Sequence, residues 1–211
     1  MSFITNTNLQ NTRHDTMPFE GRWRDSLGRP APFGSWLIYG TSGSGKTSFP
    51  LQVAKYLTRF SRIMYWSIEQ GNSQAMKVAW MRENMDECGK NIMLADEDET
   101  FDSITKRMNQ KWSGYGVLIV DSLTPLRAKR FNIESYESIR KQMKGKLLIW
   151  ISHESKGNPD TSVGDYILKL ADLKIRIEGF KAMINTRSGN SLCDFVIWEQ
   201  GAIDYWMKKT N

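Results

Sequence analysis

An α/β fold with a mostly parallel central sheet, helices on both faces and antiparallel strands at the C-terminal end is predicted by three features of the sequence. Apolar runs of strand length (residues 35–39, 63–68, 116–121 and 146–152) alternate with stretches of helical periodicity. These runs are apolar throughout rather than at every second position, the pattern of strands buried on both faces. From Leu173 onward the order changes to LKIRIEGF, KAMINTR, DFVIWEQ and AIDYW, strand candidates with no helix between them.

Taken in order, residues 1–32 are polar, with Pro18, Pro30 and Pro32, and are expected to form a loosely held leader ahead of a folded domain spanning 33–211. The apolar strand 35–39 runs into a glycine-rich segment. A helix is expected over 47–60, with Val53, Tyr56, Leu57 and Phe60 on one face. Pro50 is tolerable near its start, where helical amides are partly unpaired. Strand 63–68, helix 73–87 and strand 91–95 follow. Helix 99–112 is amphipathic, with Phe101, Ile104, Met108 and Trp112 along one side. The acidic run 96–99 reads as its solvated start, near the positive end of the helix dipole. Strand 116–121, helix 134–143, strand 146–152 and helix 162–170 complete the alternating part. No internal repeat or low-complexity block interrupts it.

Bulk properties narrow the function classes. A chain of 211 residues with 40% hydrophobic and 25% charged content suits one soluble globular domain. No apolar run approaches the ~18–20 residues of a membrane helix, and the polar N-terminus lacks the apolar middle of a secretory signal. Cys88 and Cys193 lie far apart in sequence, which reads as two free thiols in a reducing cytoplasm. The net charge of +6 is compatible with a polyanionic partner without identifying one. Its distribution is uneven: between residues 124 and 146 stand Arg127, Lys129, Arg130, Arg140, Lys141, Lys144 and Lys146, against Glu134 and Glu137.

The glycine-rich segment carries the chemistry. Gly40-Thr41-Ser42-Gly43-Ser44-Gly45-Lys46-Thr47 fits G-x-x-x-x-G-K-[ST] at every required position, after a strand and before a helix. Glycines let the backbone wrap a phosphate, so that successive N–H groups and the helix start, through Ser48, face it. Lys46 would reach the outer phosphates of ATP and the Thr47 hydroxyl would hold Mg²⁺. Asp121, closing the apolar strand VLIVD, is the expected second anchor for the metal, because ligands bind at the carboxyl ends of strands in open α/β sheets.

Two further residues end apolar strands. Glu69 follows strand 63–68, and burying a carboxylate there is costly unless cations or water share the site. It reads as the group that orients a water toward the γ-phosphate; an ordinary surface glutamate in a loop is the competing reading. His153 ends LLIWISH, either as a γ-phosphate sensor or as a structural histidine bonded to a nearby loop. His14, in the polar leader, carries no signal.

Together these residues resemble the RecA-like core of the P-loop ATPases. Members of that family carry a P-loop, a Glu after the next strand, an Asp in VDS and a Gln or His ending a further strand. GTSGSGKT, SIEQG, LIVDS and ISHESKG occur here in that order. The last is similar to the GH..K element of bacterial RadA. ADLKIRIEG and NTRSGN resemble the region of RadA and DnaB from which a Lys-x-Arg pair enters the neighbouring subunit's ATP site. The resemblance spans residues 33–206, and the general look is similar to small single-domain ATPases of phages and mobile elements.

The resemblance implies a three-layer P-loop fold, ATP and Mg²⁺ as ligands, and a homo-oligomeric ring or filament. It puts Arg187 at the trans-acting arginine, with a hairpin-turn residue as the alternative, but Asn185 at the lysine position; Lys181 is a differently spaced substitute. It also implies DNA contact, single- or double-stranded, through Arg127, Lys129 and Arg130 beside Phe131, and through the 154–164 loop with Lys156. A solvated basic surface is the rival explanation of those cations. Three functions follow: a DNA-stimulated motor, recombination or loading factor with replication or recombination partners; an ATP-dependent protein-binding switch or scaffold with slow hydrolysis and no DNA; and a phosphotransferase, for which no arginine-rich lid is evident.

Overall fold

The structure is a computed structural model and describes residues 3–186 and 193–210. Its first half comprises α1 (Asn6–Asn11), α2 (Gly21–Leu27), β1 (Gly34–Gly40), α3 (Ser48–Leu57), β2 (Arg62–Ser67), α4 (Gln74–Arg82), β3 (Ile92–Ala95), α5 (Phe101–Met108) and β4 (Tyr115–Asp121). The second half adds α6 (Leu123–Leu126), α7 (Ile133–Gln142), β5 (Leu147–Ser155), β6 (Asn158–Pro159), α8 (Ser162–Leu170), β7 (Leu173–Glu178), β8 (Lys181–Thr186), β9 (Phe195–Val196) and α9 (Glu199–Thr210).

The strands join in the order β3-β2-β4-β5-β1-β7-β8-β9, with the two-residue β6 paired to β5. Pairing is parallel from β3 to β7 and antiparallel at β8 and β9, as the apolar runs and the C-terminal change of pattern predict. Alternate residues of β1, β2, β4 and β5 feed two separate cores, while β7 gives Leu173, Ile175 and Ile177 to one of them. Trp36, Ile38, Tyr65, Ile119 and Ile149 face α3 and α4 on one side, while Leu37, Trp66, Val120, Leu148 and Trp150 face α5, α7 and α8 on the other. Strands buried on both faces need helices on both, which makes three layers. Because the strands are parallel, their carboxyl ends share one edge and their amino ends the opposite one.

Local chemistry sets most helix starts. Ser73, Thr100, Asn132 and Thr161 each accept a bond from the amide three residues on, satisfying one of the unpaired helix donors. Helix 73–87 is shorter than predicted. It stops at Arg82, Asn84 takes the left-handed conformation (φ 51°), and Met85–Asn91 continue as a 3-10 turn. Helix 99–112 also shortens to α5, after which Ser113 Oγ donates to Met108 O at 2.7 Å and Trp112 leaves the apolar face.

Two larger corrections come from tertiary packing. The leader is not loosely held from residue 17 onward: Met17, Phe19 and Leu27 are buried. Phe19 packs on Tyr56 and Phe60, and Trp23 stacks on Tyr56 at 4.8 Å and lies 4.4 Å from Phe195. The outer face of α3 is aromatic, and the few apolar residues of the leader cover it. AIDYW, expected as a strand, lies within α9. Ala202 is buried there, and the Trp206 indole donates to Gly179 O at 3.1 Å, an i, i+4 face turned onto the β7–β8 turn. DFVIWEQ is a strand only at Phe195–Val196. Among the described residues no helix is long and apolar enough to cross a membrane.

Candidate nucleotide site

At the carboxyl edge of the sheet, the turn between β1 and α3 wraps a cavity of about 290 Å³. Gly40 closes β1 where β7 passes so near that a Cβ would stand 2.3 Å from the Ile177 carbonyl. Gly45 has φ +106°, a conformation L side chains rarely adopt, and packs against Ile197 and Phe180. Ser44, itself buried, braces the loop by donating to Thr41 O at 2.6 Å and accepting the Phe180 amide at 3.0 Å on its carbonyl. The loop thus turns Ser42, Gly43, Gly45, Lys46, Thr47 and Ser48 toward the cavity, while Gly40, Thr41 and Ser44 support it from behind.

Strand register brings the other expected residues to the same rim. Ser67 pairs with Asp121, Asp121 with Ile151, and Gly40 with His153, so β2, β4, β5 and β1 end side by side. The Ile68 and Glu69 amides both bond Asp121 O, at 2.6 and 3.2 Å, and carry the chain past β4. Glu69, Asp121 and His153 consequently line the cavity with Lys46 and Thr47.

The side chains form a chain of hydrogen bonds. Lys46 Nζ lies 2.7 Å from His153 Nδ1, and His153 Nε2 lies 2.9 Å from Glu69 Oε2. An ammonium can only donate, so Nδ1 accepts, the imidazole proton sits on Nε2, and that proton is shared with Glu69. Ser122 Oγ donates to the same Glu69 oxygen at 2.9 Å. Burial pushes the Glu69 carboxyl up, but the bonds from His153 and Ser122 and the Lys46 charge outweigh it, leaving Glu69 below its ordinary value. Burial draws Lys46 down against the pull of Glu69 and Asp121.

Asp121 differs. It keeps a little surface toward the cavity but is otherwise enclosed by protein, and burial raises it to about 6. The Tyr65 hydroxyl, 2.6 Å from Asp121 Oδ2, opposes that rise, and the Glu69 charge adds to it. A carboxylate enclosed with so little compensation is suited to a cation. Among the described residues no three acidic, His or Cys side chains are grouped to hold a metal alone. One carboxylate and one hydroxyl, Asp121 and Thr47, fit an ion that takes its remaining ligands from phosphate and water, as Mg²⁺ does.

Sequence reasoning missed five contributors. Tyr65, Ser122, Gln70, Arg82 and Phe180 each line the cavity or bond a residue that does. Arg82 donates to Ser48 Oγ at 2.8 Å from the end of α4, and Phe180 reaches the loop from the β7–β8 turn. Gln70 and Ser122 stand inside SIEQG and LIVDS without a role of their own being assigned, and Tyr65 had a signal too, since a hydroxyl inside a buried strand needs a partner. Arg187 lies outside the described residues. Lys181 starts β8 with its ammonium 5.4 Å from the Trp206 ring, and Asn185 pairs with Lys174 across the hairpin; neither lines the cavity. Arg127, Lys129 and Arg130 are exposed just after α6, and Lys156 sits in the β5–β6 turn. Lys129 is engaged with Glu97 O at 2.9 Å, and Phe131 is stacked on Phe101 at 4.9 Å. Packed in that way, Phe131 does not present a free ring for bases, which corrects the expectation for it.

This sheet order, with a glycine-rich loop after β1 and antiparallel strands at the C-terminal end, is the RecA-like fold. Solved structures similar to the chain include a KaiC-like protein from the hyperthermophilic archaeon Pyrococcus horikoshii, at TM-score 0.58 and 15% identity over 86% of this chain and 93% of that one. Another is flagellar accessory protein FlaH from Methanocaldococcus jannaschii, at TM-score 0.59 and 17% identity over the same shares of 86% and 93%. No protein-family model matches the sequence, and no curated protein matches it. At these identities the likeness is one of fold.

Proposed function

We propose that the chain is a Mg²⁺-dependent ATP hydrolase. The observation that carries the reading is the convergence of Lys46, Thr47, Glu69, Asp121 and His153 on one cavity. The loop amides and Lys46 bind the triphosphate, and Arg82 and Phe180 line the same cavity. Thr47 and Asp121 would hold Mg²⁺, which would supply positive charge to neutralise the phosphates. Glu69, kept ionised by His153 and Ser122, orients a water and accepts its proton. His153 links Glu69 to Lys46, so the residue that meets the phosphates and the residue that meets the water are joined through one imidazole. Nucleotide binding and phosphate release measured on Lys46→Ala and Glu69→Gln test this: the first should lose affinity and the second only turnover. Normal turnover by Glu69→Gln would remove Glu69 from its role.

In the fuller version the protein works as a homo-oligomeric ring or filament, and DNA bound by Arg127, Arg130 and Lys156 stimulates hydrolysis, as in a motor, recombination or loading factor. Turnover that rises with DNA, and stops rising in Arg127→Ala/Arg130→Ala, supports it; flat turnover removes it. A slow ATP-dependent switch acting on a protein is the second reading. Asn185 favours it, because one cation fewer reaching a neighbour's phosphates lowers turnover.

A further inference from the structure

The amino edge of the sheet, opposite the nucleotide cavity, gathers a cluster of exposed cations. Residues 103–113 and 138–147 contain Lys106, Arg107, Lys111, Arg140, Lys141, Lys144 and Lys146 and no acidic residue. These segments are the C-terminal ends of α5 and α7 with the turns that follow, and the fold pins them side by side. Asn109 Nδ2 donates to Gln142 O at 3.2 Å, and Lys146 Nζ donates to Met108 O and Tyr115 O at 3.2 and 2.6 Å. Two cations are therefore committed: Lys146 to those carbonyls and Arg140 to Glu137, at 2.9 Å. Lys106, Arg107, Lys111, Lys141 and Lys144 are exposed and have no ion-pair partner among the described residues.

Two features distinguish this edge from an ordinary solvated basic surface. Trp112 stands at its crest with 90% of its surface exposed and the Lys111 ammonium 5.6 Å from its ring. Tryptophan is seldom left so bare, because its ring is the largest apolar surface a side chain can bury. In the 138–147 half of the edge opens a cavity of about 490 Å³ with Met143, Leu148 and Leu170 in its wall, Lys141 and Lys144 among its lining and Phe33 half-exposed beside them. The one other carboxylate there, Asp172, is already bonded to the Ser35 amide at 2.9 Å. The helix dipole accounts for cations in the last turns of α5 and α7. It does not account for Lys111 and Lys144 beyond those ends, nor for the bare indole.

We propose that this edge is a binding site for single-stranded nucleic acid, with Lys106, Arg107, Lys111, Lys141 and Lys144 on phosphates and Trp112 stacked on a base. Exposed cations without counter-charges suit a flexible polyanion, and an adjoining free aromatic plane suits bases that are not already stacked in a duplex. The site is distinct from the DNA contacts considered above, at the other edge, and its test needs no ATP.

The test is an anisotropy titration of labelled oligo-dT and oligo-U with the full chain in nucleotide-free buffer across a salt series. Both should bind, with log affinity falling against log salt at a slope of about −3.5 if all five cations meet phosphates. Lys141→Glu/Lys144→Glu should weaken binding by roughly 10-fold or more. Trp112→Ala should weaken it by roughly 10-fold, and Trp112→Phe should retain most of it. All these positions are on the surface, and unchanged circular dichroism establishes that the variants fold. Lys77→Ala/Lys208→Ala, at exposed cations of α4 and α9 that belong to neither candidate contact, should bind as the parent does. The proposal is overturned if the amino-edge variants bind normally, if the Arg127/Arg130 variant alone loses binding, if duplex binds more tightly than single strands, or if poly-glutamate competes as well as oligo-dT.

Discussion

The nucleotide cavity and the amino edge of the sheet both gather cations, and they handle them in opposite ways. Around the nucleotide cavity the cations are met by carboxylates: Lys46 sits among Glu69, Asp121 and His153, and Arg176, on the neighbouring β7, bonds Glu154 at 2.8 Å and Glu178 at 3.0 Å. At the amino edge five cations stand in solvent without ion-pair partners among the described residues. Enclosed charges in a compensated network are held in place, and they suit a compact ligand that presents its charge at fixed points. Uncompensated exposed charges are mobile and screened, and they suit an extended polyanion that displaces counterions. Counting lysines and arginines along the sequence does not separate these cases. The counter-charges, which come from distant segments, do.

Substitutions at one edge should leave the other intact, which gives the comparison its tests. The largest effect is expected from Glu69→Gln, a fall of about 10²–10⁴-fold in phosphate release with nucleotide affinity retained, read by single-turnover assay and calorimetry. Lys46→Ala should weaken nucleotide binding by roughly 10–100-fold, because a charge-assisted bond to phosphate is lost, with oligo-dT affinity unchanged. A shared loss in both assays would mean the edges are not independent.

Asp121→Asn should stabilise the metal-free protein by up to about 3 kcal/mol at neutral pH. The sign follows from the raised pKa, about 6 against an ordinary 3.8. The folded state binds this proton more tightly than the unfolded chain, so stability falls as pH rises from about 4 to about 6 and stays low above that. Asparagine has no charge to desolvate, and denaturant midpoints for the two proteins should diverge across that window. Equal pH profiles would mean Asp121 is well solvated. The smallest effect is expected from Tyr65→Phe, which removes one bond to the Asp121 carboxylate and should cost about 1–3 kcal/mol. No matching change should follow from any substitution of the exposed amino-edge lysines.

Much of the carboxyl edge was legible in the sequence, because its logic is local. A glycine-rich loop between a strand and a helix, and polar residues ending apolar runs at Glu69, Asp121 and His153, are signals carried by a few consecutive residues. The parallel arrangement then puts every strand end on one rim. Tyr65, Arg82 and Phe180 escaped notice because they reach the cavity from the middle of a strand, the end of a helix and a distant hairpin. The helical state of 202–206 escaped for a related reason. Its apolar residues fit alternation as well as an i, i+4 face, and only the β7–β8 turn beneath Ala202 and Trp206 selects between them.

Alone, the sequence determined the three-layer architecture and the glycine-rich loop at the strand ends, since period, glycine placement and strand-ending polar residues act over short stretches of chain. Tertiary structure decided which charges are neutralised and which are left bare. Coulomb interactions and desolvation depend on distance in space, and the partners of Lys46 and Arg176, like the lack of ion pairs at Lys111, Lys141 and Lys144 among the described residues, are set by segments far away along the chain.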